Sequence, residues 1–415
     1  MQFRLKNHVI FLILLLFGFD SGAQTGCTDP QAQNYDVNAI TNDGSCLYPT
    51  TAYSPQLIAN LVPALDENSG LIFSIARIFS INDGGNPPKI QELSQQGDIV
   101  RTVHVDSVQN IDWEAISQSD STVFIGDFGN NSGNRTNLRI LRINKNELQN
   151  LDTVQANKIH FYYSDQVTFS NTANQHNFDC EAFFFYQDSL HLFTKGWENL
   201  CTKHYVLPVN NQDSVVAELR DSLFVDGLIT DATIDPTTGR ILLLGYKNNG
   251  SNFYTSFVYL LFDYAQYQFF SGNKRRIELG NMLTLSQTEG ITFESSTSGY
   301  ISAEKITSSL LTVSPKLFQF DFTSYFENPT SFVNPTNEFE IKVYPIPANE
   351  FIQIDLPENS NQPEIKIKDF LNRRVSDQSQ AVNENEIDIR FLQNGVYFLE
   401  LNYNNRTVII PFIKE

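Results

Sequence analysis

The sequence predicts an all-β protein: a β-propeller of five blades, six being the alternative, followed by a small C-terminal β-sandwich. Three observations carry this expectation. A hairpin pattern recurs five times across residues 51–326, at intervals of 47–67 residues, a spacing that fits propeller blades. Between the hairpins stand β-branched and aromatic runs that lack the spaced apolar pattern of a long amphipathic helix. After a proline-marked break, the remaining residues alternate short strands with polar turns.

The best-formed hairpin is Asn110 to Asn131, NIDWEAISQSDSTVFIGDFGNN: an acidic start, a β run, a polar turn, a second β run and a polar finish. Aligned on the leading carboxylate, the five copies start at Glu67, Glu114, Glu181, Asp231 and Glu289. Their second runs finish at Asp83, Asp127, Lys195, Tyr246 and Glu304. A hairpin returns its two ends to one edge of a sheet, so these residues are expected to share a single mouth. That mouth opens on the central channel if the hairpins are the inner strands. LRILRIN from Leu138, IHFYYS from Ile159, TSFVYLLFDY from Thr255 and KLFQFDF from Lys316 supply the outer strands. One such sheet cannot bury both faces, whereas face-to-face packing around an axis can, and an aromatic content of 13% suits it.

In chain order, Met1 to Ala23 has Arg4 and Lys6, then the apolar VIFLILLLF, then Ser21-Gly22-Ala23, the layout of a secretory signal peptide. The apolar run is too short to span a bilayer comfortably, and no later stretch could, so no transmembrane segment is expected in the mature chain. Residues 24–50 hold Cys27 and Cys46 around an Asn/Asp-rich segment, expected to be a disulfide-closed loop outside the repeats. Such closure contributes roughly 3 kcal/mol in the chain-entropy model. Asp29, Asn34, Asp36, Asn38 and Asp43 in it serve either as turn formers or as oxygen ligands for calcium. The segment resembles a short module of secreted bacterial proteins, GCTDPxAxNYxxxAxxxDGSC.

Asp112–Ile116, Gly126–Ile143 and Asp179–Phe183 resemble the DWEDIA, GDxGNNxxxRxxLRIYRI and DxEAF segments of secreted propellers of the Flavobacterium–Bacteroides group. That resemblance implies the fold and carries no activity. Cys180 and Cys201 fall near the mouth, either bonded to each other or as two thiols. Residues 327–339 read as a polar linker, and residues 340–415 as the sandwich. With VYPIPAN from Val343, NGVYFL from Asn394 and the final Phe412-Ile413-Lys414, the tail resembles the type A sorting domain of type IX secretion. The resemblance implies the type IX secretion machinery as a partner, and export across the outer membrane to the cell surface or medium.

A formal charge of −19, from 28 basic and 47 acidic residues, repels phosphate backbones and anionic headgroups, which argues against nucleic acid as a partner. Five carboxylates around one axis cannot all stay ionised and unpaired. Either a cation neutralises them, with Glu114, Glu181 and Glu289 as ligands and calcium as the natural guest, or each accepts backbone N–H groups and staples the ring. A third reading makes them catalytic acids and bases. Nucleophilic catalysis has little support: there is no G-x-S-x-G elbow, and of the histidines only His176 approaches the mouth. The expected function is therefore an exported binding module that meets an extracellular ligand at an acidic mouth. The alternative is a calcium-dependent hydrolase of phosphate or sugar esters.

Overall fold

The computed structural model describes residues 24–326, apart from 170, 210–213, 251–252 and 308–311, and residues 342–414, apart from 345–347, 356–363, 370–372, 377–380, 384–385 and 404–405. The expected signal peptide (1–23) and linker (327–339) lie outside the described residues. The chain divides into two compact units, Met1–Asn328 and Pro329–Glu415.

In the first unit, strand β1 (Gln56–Asn60) precedes successive antiparallel groups. These are β2–β5 (Asn68–Ser74, Arg77–Asn82, Lys89–Leu93, Ile99–Asp106) and β6–β9 (Trp113–Gln118, Thr122–Asp127, Arg139–Asn144, Thr153–Tyr163). Next come β10–β13 (Asp179–Tyr186, Ser189–Lys195, Cys201–Pro208, Ser214–Phe224) and β14–β17 (Leu228–Ile234, Ile241–Asn248, Tyr254–Phe262, Asn273–Asn281). The last group, β18–β20 (Gln287–Phe293, Ser298–Glu304, Lys316–Asp321), supplies three strands, and β1 completes it with Asn60 opposite Lys316.

The leading strands β2, β6, β10, β14 and β18 each lie against the next, and β18 lies against β2, so they run round a ring. Side chains stitch the neighbours together. Phe185 N–H donates to Ser117 Oγ at 3.0 Å, Thr230 Oγ1 to Thr288 O at 2.8 Å and Phe73 N–H to Thr292 Oγ1 at 3.2 Å. Apolar clusters fill the spaces between adjacent groups. One joins Phe124, Phe128 and Ile140 to Phe183, Leu192 and Tyr205, and another joins Phe184 and Phe193 to Leu243 and Phe257. Each such side chain contributes roughly 1.5–3 kcal/mol by burial, which is why a phenylalanine-rich chain closes this way. At the periphery, β9 pairs in parallel with both β5 and β13, with Thr153 opposite His104 and His160 opposite Ser214. Outer edges that would otherwise be free to recruit another strand are thereby covered.

Cys27 and Cys46 are bonded, with Cα atoms 4.7 Å apart. Their loop, which precedes the repeats in the chain, is hydrogen-bonded to the repeat region. Asn42 donates to Asn273 Oδ1 at 2.9 Å, Gln31 donates to Ser324 O at 3.1 Å, and the Arg275 guanidinium lies between the rings of Tyr48 and Tyr325. Arg275 and Asn273, both on β17, supply the polar anchors that a reading of the loop alone could not include. Within the loop, Asp29, Asp36 and Asp43 each accept the N–H two residues on, at 2.9, 2.9 and 3.0 Å, as turn formers do. Asn34 accepts Leu47 N–H at 2.7 Å. Cys180 and Cys201 are free thiols, the first buried.

The second unit has two four-stranded sheets. One runs Lys342–Tyr344, Phe351–Asp355, Glu386–Asp388, Ala381–Asn383 in spatial order, and the other Arg374–Ser376, Glu364–Asp369, Gly395–Tyr403, Arg406–Lys414. Ile352, Ile354 and Ile387 from the first share a core with Ile367, Leu399, Leu401 and Phe412 from the second. Among the described residues, no helix is long and apolar enough to cross a membrane.

Candidate functional site

The leading strands share one local irregularity. Near the start of each, the register against the second strand slips by one residue, leaving Gly70, Glu114, Glu181, Thr230 and Glu289 without a cross-strand partner. A β-bulge bends the strand and re-aims the extra side chain, and bulges recur beside functional sites for that reason. Three of the five equivalent positions carry glutamate. Alignment on the leading carboxylate placed Glu67 and Asp231 in this set, and the structure moves both out of it. Glu67 lies three residues ahead of Gly70, is exposed and accepts Asn86 Nδ2 at 2.6 Å. Asp231 follows the bulge residue Thr230 and is fully buried, its oxygens taking Ala232 N–H at 2.8 Å and Ile291 N–H at 2.7 Å. It fastens β14 to β18. Burial pushes its carboxyl up, while those two N–H groups and that of Leu71 pull the other way.

Asp83, Asp127, Lys195, Tyr246 and Glu304 stand at equivalent ends of the second strands, opposite Glu67, Trp113, Asp179, Leu228 and Gln287. Their environments differ sharply. Asp127 is wholly buried between Arg135 Nη2 at 3.0 Å and Arg139 Nη2 at 2.7 Å, and it also accepts Asp112 N–H at 3.1 Å. Such a carboxylate is occupied by its own chain. Asp179, which the sequence reading passed over, is used similarly: Asn130 N–H donates to it at 2.6 Å and the Trp197 indole at 2.8 Å.

Lys195 is a buried cation beside these carboxylates. Its ammonium lies 3.1 Å from Glu181 Oε2, 5.1 Å from the Trp197 ring centre and 5.4 Å from that of Tyr246. Burial alone would lower its pKa, but Glu181, Tyr246, Glu289 and Asp179 together hold it well above the ordinary value. Across the mouth, Gln287 Nε2 donates to Glu289 at 2.6 Å and to Glu304 at 2.7 Å. Burial and the nearby Glu289 push Glu304 up to about 9.

Glu114 has no such partner. It is 4% exposed, and its carboxylate accepts no hydrogen bond from any described residue. Burial, then Glu181, Asp83 and Asp112, push its pKa well up. Its closest company is Asp83 and Asp112, with one oxygen from each of the three lying within 4.8 Å of the others. Asp112 is pushed up to about 6 by burial and by Asp83, against the pull of Arg135. The carboxylates press against glycine backbone: a Cβ on Gly129 would collide with Glu114 Oε1 and Asp112 Oδ2, and one on Gly84 with Asp112 Oδ1. The expected cation ligands Glu114, Glu181 and Glu289 are thus divided, Glu181 going to Lys195 and Glu289 to Gln287. Asp112, two residues before Glu114, was legible as part of the acidic start but not as its neighbour in space, because the bulge sets that geometry.

His176 is tied into its loop, its Nδ1 accepting Phe178 N–H at 3.1 Å and its Nε2 lying 3.0 Å from Asn131 O. It does not face the carboxylates as a base.

Residues 342–415 match the family model described as the secretion system C-terminal sorting domain. The chain is therefore a protein secreted through the type IX system to the cell surface or extracellular space. No curated protein matches it. Among solved structures, it is similar to a mutant β-fructofuranosidase of glycoside hydrolase family 32 from Bombyx mori in complex with sucrose. That match has 9% identity, covers 84% of this chain and 86% of that one, and has a TM-score of 0.41. Another similar structure is regucalcin, a calcium-binding protein from Agrobacterium tumefaciens, at 13% identity over 66% of this chain and 95% of that one, with a TM-score of 0.37. The chain is all-β with propeller-like neighbours, and likenesses this distant say nothing of substrate or ligand.

Proposed function

We propose that this protein is a five-bladed propeller that its two-sheet tail, a β-sandwich, delivers to the cell surface, where it acts as a binding module. It takes a positively charged ligand at the acidic channel mouth, and it belongs with the secreted propellers of the Flavobacterium–Bacteroides group. The observation that carries the reading is the shared bulge, which turns Glu114, Glu181 and Glu289 out of the ladder of three different leading strands. Asp83, Asp112 and Glu304 add acidity at the same edge, against which stand Lys195 and Arg135. A low-dielectric funnel lined by one sign of charge concentrates the opposite sign.

The test uses spermine, a compact polycation, on the full mature chain. Binding should weaken on raising salt from 20 to 200 mM, since it is electrostatic, and should fall roughly tenfold in Glu114→Gln/Glu289→Gln. Spermine binding that ignores both the salt and the double substitution would show that the mouth is not the binding surface. The hydrolase alternative would draw its acid and base from these same carboxylates, and no specific observation favours it. Turnover of phosphate or sugar esters, lost in the same double variant, would restore it.

A further inference from the structure

One mouth carboxylate is left without a partner among the described residues, and two beside it have only one each. Asp127, Asp179, Asp231, Glu181, Glu289 and Glu304 each meet an arginine, a lysine, an amide, an indole or backbone N–H groups. Asp83 has Gly84 N–H, Asp112 has the flank of Arg135 at 3.7 Å, and Glu114, nine-tenths buried and more, has nothing among the described residues. Leaving an ionised carboxylate buried and unpaired is costly, so such a group either takes up a proton or meets a cation.

We propose that Asp83, Asp112 and Glu114 form a calcium site between the first and second strand groups, and that Lys195 is the mouth's own tethered cation, occupying the Glu181 side. The proposal rests on the mouth being the binding surface and assigns its ligand chemistry. Three features support it. The three oxygens lie within 4.8 Å of one another. A set this compact fits within one calcium shell, in which oxygens on opposite sides of the ion stand about 4.6–5.2 Å apart, from bonds of about 2.3–2.6 Å. The glycine backbone at Gly84 and Gly129 lets carboxylates approach where any side chain would displace them. The ligands come from both groups, Asp83 following β3, and Asp112 and Glu114 beginning the second hairpin. An ion there bridges two neighbouring groups at their inner ends.

The experiment is calcium titration of the full mature chain, stripped with a chelator, by calorimetry. Terbium luminescence sensitised through Trp113 and Trp197, the two tryptophans of the chain, serves as a second readout. One calcium should bind per chain, with magnesium much weaker. Glu114→Gln should weaken calcium roughly tenfold or more, because site charge sets affinity, while Asp98→Asn, at an exposed carboxylate outside the mouth, should stay within about threefold. Asp83→Asn, on a less buried ligand, should repeat the Glu114→Gln result if that variant folds poorly. Unchanged affinity in both ligand variants would overturn the assignment of residues. A wild-type chain that ignores calcium and terbium would overturn the site altogether. If spermine still binds the wild type in that case, the mouth reading survives, and if spermine fails too, both fall.

Discussion

Lys195 and Glu181 show how one position in a repeat acquires its own chemistry. Both side chains are almost fully buried, at 6% and 5% exposure, so neither finds water if the other is lost. Removing one member of a buried ion pair typically costs about 3–5 kcal/mol, most of it the penalty on the abandoned charge. Lys195→Met should therefore lower the unfolding free energy by about that amount in denaturant melts, and Glu181→Gln placed on top of it should recover part of the loss. Equal stability of Lys195→Met and wild type would mean that Glu181 is neutral in the fold. Sequence alone placed these two residues at one edge, since Glu181 opens the hairpin that Lys195 closes. It could not say that they pair, because Asp127 occupies the same second-strand position in the preceding group and turns instead to Arg135 and Arg139.

At the scale of elements, hairpins were legible where turn chemistry and alternation agreed. The second copy, with Ser119 to Ser121 between two β runs, folds as its pattern implies. The first copy turns at Ile75 and Ala76, both at positive φ, where Asn-Gly would ordinarily announce the hairpin. Packing on either side holds that turn, so nothing local marks it. The bulges were invisible for a related reason: a one-residue slip changes which side chain reaches the channel without altering the run of residue types. The third group carries a further feature hidden from sequence, a buried chain in which His191 Nδ1 lies 3.0 Å from His204 Nε2, and His204 Nδ1 lies 3.0 Å from Asp221. Burial, then His204, pushes His191 down to about 3, and burial lowers His204 too. Both rings are neutral in the fold, while the unfolded chain takes up protons near 6.5. Stability from this pair is therefore complete above 6.5 and lost as pH falls below it, by up to about 1.4 kcal/mol per pH unit for each ring. In urea melts between pH 6 and 4, His191→Phe should flatten the decline by about half of the pair's share. An unchanged slope would clear His191.

For the whole molecule, the division into two units separates the sorting domain from the strand groups that carry the acidic mouth. Deleting Pro329–Glu415 should leave the melting transition of the first unit in place and abolish surface delivery, as read by protease accessibility on intact cells. Normal delivery of the shortened chain would place the sorting signal elsewhere. The broad plan was readable because repeat spacing and aromatic runs report burial over tens of residues. The way the ring closes was not, since β1 is five residues long and lies outside every repeat. Its pairing with β20 brings Asn60 beside Lys316 and joins the two ends of the first unit. Loop entropy rises only with the logarithm of length, so the distance costs little at equilibrium, yet contacts this remote in sequence form slowly. The fourth group shares this dependence in a lesser way, because Thr51–Ala52 pairs with β17 across a similar gap in sequence. The last must wait until the two ends of the first unit find each other, and until they do, the edge of β20 stands open to any strand that arrives first.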